Sequence, residues 1–132
     1  MKLNNENVDI YVADGAELCT ALSRTTHLAI GAHQDDLEIF AYNGIAACYG
    51  SKENWFTGVT VTNGAGSSRV GKYASYTDEE MQAVRYAEQR KAACLGEYSA
   101  MLQLSYRSAE TKDKTSKEVI NDLIEILTQA KP

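Results

Sequence analysis

The ten residues Ala29-Ile-Gly-Ala-His-Gln-Asp-Asp-Leu-Glu38 limit what this chain can fold into more than any other stretch. An apolar run reaches a histidine and two adjacent carboxylates, and the residues after them have helical character. This is the pattern of a buried strand giving way to a helix at the carboxyl edge of a sheet, where α/β proteins bind ligands. One imidazole and two carboxylates there offer a divalent ion mixed ligands and leave a carboxylate spare as a general base. A purely local reading also exists, since Asp residues at a helix start cap free amides and meet the positive end of the dipole.

The rest of the chain extends the strand-then-helix alternation. Residues 8–12 alternate as a short strand, Ala13-Asp14-Gly15 is a turn, and residues 16–24 place Leu18, Ala21 and Leu22 on one helical face. Residues 26–32 predict a strand buried on both faces. The helix from Asp35 or Asp36 to about Tyr49 is apolar nearly all round, which predicts that it is largely buried. Residues 55–62 are β-branched and aromatic and predict the next strand. A Gly- and Ser-rich loop covers 63–76. Thr77-Asp-Glu-Glu80 is a capping box opening a helix to about Leu95, stopped by Gly96. Residues 98–104 predict a strand, 107–117 a polar loop, and Thr115-Ser-Lys-Glu118 a second capping box for a helix ending at Ala130 or Lys131. The order predicts a Rossmann-like α/β three-layer sandwich with a mostly parallel sheet. A further strand normally follows such a last helix, so the fold is expected to be cut short after Pro132, residues 1–132 forming a single partial domain.

Composition narrows the partners. A net charge of −5, with the basic residues scattered, argues against nucleic acid or an anionic membrane. Cys19, Cys48 and Cys94 form no C-x-x-C pair and sit in apolar helical contexts, which predicts buried free thiols in a reducing compartment. The polar N-terminus carries no apolar signal core and no run reaches membrane-spanning length, so a cytoplasmic location is expected.

Read for chemistry, His33 and Asp36 each give one atom to Zn²⁺, and Asp35 takes the proton of a water that the ion acidifies. The stretch Leu28–Glu38 resembles the A-H-P-D-D-x-E signature of the LmbE-like (PIG-L) N-acetylglucosaminyl deacetylase family. Val59-Thr-Val-Thr-Asn-Gly-Ala-Gly66 resembles that family's second strand and Gly turn. Arg85-Tyr-Ala-Glu-Gln-Arg-Lys-Ala-Ala-Cys-Leu-Gly96 resembles its R-x-x-E-x-x-x-A-x-x-L-G helix. Gln34 stands where the signature has proline.

The resemblance implies a zinc-dependent, or other divalent-metal-dependent, hydrolase that removes the acetyl group from an N-acetylglucosaminyl conjugate. His33 and Asp36 match its metal ligands and Asp35 its catalytic base, and Arg69 is a candidate for contacting substrate. Glu38 reads as a cap or as a hydrogen-bond support of the site, and Arg85 and Glu88 as a structural pair. The family's third metal ligand is a downstream histidine. The only other histidine here, His27, lies about 20 Å back along the same strand, out of reach of one ion. The chain by itself is therefore expected to be incomplete or inactive, with a second polypeptide or a C-terminal half completing the site. A non-catalytic sugar- or nucleotide-binding module that keeps only the fold is the alternative, and a homo-oligomer sharing its site across an interface is a third.

Overall fold

The computed structural model describes residues 1–132. Its elements are β1 (Asp9–Tyr11), α1 (Leu18–Ser23), β2 (His27–Gly31), α2 (Asp36–Phe40), α3 (Tyr42–Cys48), β3 (Phe56–Thr62), α4 (Asp78–Leu95), β4 (Ala100–Tyr106), α5 (Ser108–Lys112) and α6 (Glu118–Ala130). A single 3₁₀ turn, Gly71–Tyr73, interrupts the long loop before α4. The four strands form one sheet in the order β1-β4-β3-β2. β2, β3 and β4 are parallel, and β1 is an antiparallel edge strand beside β4. The sheet is therefore mixed, an arrangement common when a short strand closes the edge of a parallel core.

Helices cover both faces. On one, Ala21 and Leu22 of α1 and Ile126 and Ala130 of α6 pack on Val59, Ala100, Leu102, Leu104 and Tyr106. On the other, Leu37, Ile45, Cys48 and Ala93 pack on Phe56, Tyr98 and Met101. All seven residues of β4 are buried, because it runs through the middle of three layers. Tyr106 sends its hydroxyl to the buried Asp122 at 2.6 Å, and burial followed by that carboxylate raises the phenol pKa.

Several elements differ from the sequence reading. The expected helix 36–49 breaks at Ala41 into α2 and α3, which share that residue as cap. It is not largely buried: Ile39, Phe40, Tyr42 and Tyr49 are exposed, because only Leu37, Ile45 and Cys48 fit the one face that meets the sheet. The Thr77–Glu80 capping box forms as expected. The Thr115–Glu118 box does not, because Asp113 Oδ1 takes both the amide and the hydroxyl of Thr115. The polar loop 107–117 contains α5, whose entry is capped when Arg107 N donates to Glu110 at 2.5 Å. The three cysteines are unpaired, but Cys19 and Cys94 are exposed and only Cys48 is buried.

The parallel strands end level with one another. Thr62 N donates to Ala32 O at 2.9 Å and Asn63 N donates to Tyr106 O at 2.9 Å. Between Gln103 and Tyr106 β4 carries one residue more than β3 does between Thr60 and Thr62. Ser105 takes a left-handed conformation there, φ 65°. Such bulges re-aim side chains at sheet rims.

Candidate active site

The site residues follow β2 directly. Gly31 closes the strand, and the turn Ala32–Asp35 delivers His33, Asp35 and Asp36 to the carboxyl edge of the sheet. Asp35 sits before α2 with φ 78°. A non-glycine residue held in the left-handed region stores strain that its surroundings must offset. Neither carboxylate caps α2. Asp35 has no side-chain bond to the helix amides, and Asp36 Oδ2 accepts from His33 N, behind the helix start, at 2.9 Å.

That bond folds Asp36 back onto His33. The imidazole Nδ1 and Asp36 Oδ2 lie 3.7 Å apart, with the imidazole mostly exposed. Two ligands of a tetrahedral zinc ion, each about 2.1 Å from it, place their donor atoms about 3.4 Å apart. The pair thus has the spacing and the chemistry of two metal donors. No group of three or more His, Cys, Asp and Glu residues is arranged so that it could hold a metal ion. His27 is at the far end of β2 and is engaged with Thr26 and Cys48.

Asp35 belongs to a second cluster, which sequence reasoning missed. Arg85 Nη2 donates to Asp35 Oδ2 at 2.8 Å and to Gln34 O at 2.6 Å, and Arg85 Nη1 donates to Glu88 at 2.5 Å. Burial works against the Arg85 charge, but Asp35 and Glu88 outweigh it and hold its pKa above the usual guanidinium value. Gln89, almost fully buried, accepts from Asp35 N at 2.9 Å and donates to Glu38 Oε1 at 2.9 Å. Tyr98 donates to the same Glu38 oxygen at 2.6 Å. Glu38 is therefore a hydrogen-bond support, one of its two expected roles. The Arg85–Glu88 pair also forms, but Arg85 does more than pair along its helix. Arg85, Gln89 and Glu88, with Gln34, Asp35 and Glu38, line a cavity of about 300 Å³.

Gln34 explains how the turn accommodates the loss of proline. Its buried amide donates to Thr62 O at 3.0 Å and to Gln103 Oε1 at 3.2 Å, tying the turn to β3 and β4. Gly64 packs against it with φ 73°, and a Cβ there would stand 2.7 Å from Gln34 Oε1 and 2.8 Å from Arg85 Cβ. Only glycine meets both demands, the left-handed turn and the close approach. Arg69 lies in the loop beyond. Its guanidinium bonds Asp78 and donates to Ala65 O at 2.9 Å, fastening the loop to the start of α4.

A sequence signal for the missed residues was present. Met81, Arg85, Gln89 and Ala93 recur every four residues along α4, and Met81, Gln89 and Ala93 are buried. Two polar side chains in an inward stripe need partners, and the His33–Glu38 turn supplies them.

The fold is a Rossmann-like α/β layer with a His-x-x-Asp pair and a buttressed carboxylate at its strand ends. The sequence matches the PIG-L family, GlcNAc-PI de-N-acetylase, over residues 28–132, and the chain belongs to that family. Among solved structures it is similar to the N,N'-diacetylchitobiose deacetylase from Pyrococcus horikoshii, with 27% sequence identity and a TM-score of 0.66. That likeness covers 80% of this chain and 38% of the deacetylase chain, so the present chain spans well under half of its structural relative. No curated protein sequence matches. No helix is long and apolar enough to cross a membrane.

Proposed function

We propose that this chain carries the ligand pair and general base of a divalent-metal de-N-acetylase acting on an N-acetylglucosaminyl conjugate. The convergence of His33 Nδ1 and Asp36 Oδ2 at 3.7 Å, on the family's motif, carries the reading. His33 and Asp36 hold the ion, with zinc the best match to one nitrogen and one oxygen donor. When bound, the ion polarises the acetamide carbonyl and acidifies a water. Asp35 would serve as the base that takes a proton from the water attacking the carbonyl carbon. Arg85 and Gln89 keep Asp35 pointed by gripping its carboxylate and its backbone amide. Expulsion of the sugar amine then needs a proton, and Asp35, protonated in the first step, is the group placed to return it.

Arg69 is assigned to the substrate side of the loop, its bond to Asp78 fixing where the guanidinium is presented. With only these two donors from the chain, a bound zinc ion would need a further protein donor from another polypeptide segment. The deacetylase neighbour supports the substrate class through its own disaccharide.

Zinc titration of the full chain tests the ligand pair. His33→Ala and Asp36→Ala are each expected to weaken binding by at least about tenfold, while Asp35→Asn keeps affinity within about threefold. Unchanged affinity in both ligand variants refutes the metal reading.

A further inference from the structure

We propose that the cleft between α3 and the end of α4 is a binding site for a small organic cation, a protonated primary amine carried on an apolar body. The cleft holds about 590 Å³, and seven of the nine residues around it are hydrophobic. Its volume is within the range of ligand pockets, about 300–1,000 Å³. His33, Asp35 and Asp36 do not line it. Tyr42 and Tyr49 come from α3 and its cap, and Leu95 and Gly96 from the end of α4. Tyr42, Tyr49 and Leu95 are 64%, 60% and 68% exposed. Single apolar side chains are ordinary on a surface, but three around one concavity mark a place for a ligand.

The floor is fixed in place. Tyr98 is buried and meets Phe56 edge to face, with ring centroids 4.7 Å apart. It also lies against Gly96, where a Cβ would stand 2.6 Å from its Cε1. The Tyr98 hydroxyl donates to Glu38 Oε1 at 2.6 Å, and Gln89 Nε2 donates to the same oxygen at 2.9 Å. Both donors thus go to one oxygen. Glu38 Oε2 is buried and has no partner in the chain. A carboxylate oxygen only accepts, and one shut away from water without a donor is costly. The last torsion of a glutamate side chain is broad, so Oε2 can turn toward the cleft without leaving a rotamer well.

Three features select a cation that carries N–H. Glu38 is the one charged residue around the cleft, so no lysine or arginine there supplies its counter-charge. An ammonium group brings charge and donor together. The tyrosine rings attract a cation and also accept its carbon body. The last turn of α4 carries no basic residue, which leaves the negative end of its dipole uncompensated beside the cleft. Carboxylates and phosphates are repelled by the same charges. Glu38 also borders the polar cavity beside Asp35, but water filling that cavity gives no selectivity for an amine.

The test is calorimetric titration of the full chain at neutral pH, without metal, using phenethylamine, phenethyl alcohol, phenylacetate and phenethyltrimethylammonium as probes. Phenethylamine is expected to bind at least about tenfold more tightly than the alcohol, the worth of one charged hydrogen bond, and phenylacetate more weakly than either. Phenethyltrimethylammonium, charged but without N–H, should bind at least about threefold less tightly than phenethylamine. Glu38→Gln keeps an acceptor for Tyr98 and Gln89 and should bring the amine down to the alcohol's affinity. Tyr49→Leu keeps the cleft apolar and should cost both cations about two- to fivefold, leaving the alcohol within about twofold. Equal affinity for amine and alcohol, a preference that survives Glu38→Gln, a trimethylated ion that binds as tightly as the amine, or no binding of any probe would each overturn the proposal. So would a second copy of the chain filling the cleft, seen in sedimentation as a dimer that Leu95→Glu dissociates, with no amine bound. The probes carry no acetamide and no metal is added, so the outcome is independent of the de-N-acetylase reading, which the zinc titration of the His33 and Asp36 variants tests.

Discussion

Replacing Gln89 by leucine keeps most of the side-chain volume and removes both polar atoms from a nearly fully buried position. Asp35 N then loses its acceptor at 2.9 Å, and Glu38 Oε1 loses one of two donors, retaining Tyr98 at 2.6 Å. A stranded amide costs roughly 1–3 kcal/mol, and a lost hydrogen bond to a carboxylate about 1.5–3 kcal/mol. The two losses share one side chain, and water reaches the exposed Asp35, so the expected total is about 3 kcal/mol. In a chain of this size that lowers the melting temperature by about 10 °C. Urea unfolding should show a lower midpoint at unchanged slope. Hydrogen exchange at the Asp35 amide should accelerate selectively, because its left-handed turn loses the bond that offsets its strain. Gln89→Glu keeps an acceptor for that amide but sets a carboxylate against Glu38, so it should fall between wild type and Gln89→Leu at neutral pH. A loss under about 1 kcal/mol in Gln89→Leu, with Asp35 exchange unchanged, refutes the claim that α4 holds the turn.

Gly64→Ala should destabilise by about 2–4 kcal/mol, since the new Cβ meets Gln34 and Arg85 and the φ of +73° is strained, and thermal unfolding will register it. Tyr98 and Tyr106 have raised pKa values, through burial first and then through Glu38 and Asp122 respectively. The folded state therefore holds both phenols protonated. Their contribution is complete below pH 10 and is lost as pH rises above it, so unfolding free energy should fall on the alkaline side, less steeply in Tyr98→Phe. Thiol titration with a chromogenic disulfide should find Cys19 and Cys94 fast and Cys48 slow, because burial hides that thiol and raises its pKa.

Periodicity and end signals were enough for the strands, the long helices and the Thr77 capping box, because those depend on neighbours in sequence. The His33–Asp36 pair was legible for the same reason: a strand end followed by a helix start brings residues three apart onto one edge. The second capping box failed because Asp113 Oδ1 took the Thr115 amide and hydroxyl that the box needed. The burial of the 36–49 segment was misjudged because hydrophobicity states what a helix prefers to bury, not how many faces its neighbours offer.

By itself, then, the order of residues determined the α/β class, the placing of the His33–Asp36 motif at a strand end, and the family, all of which are written in spacings shorter than about 20 residues. Only the tertiary structure decided that β1 crosses to the far edge and runs antiparallel, that Arg85 and Gln89 hold Asp35 from 50 and 54 residues away, and that Asn5 and Asn7 hydrogen-bond with residues about 100 positions on. Contacts of that range follow from how whole layers pack, because each buried polar group must find a partner wherever the fold brings one within reach.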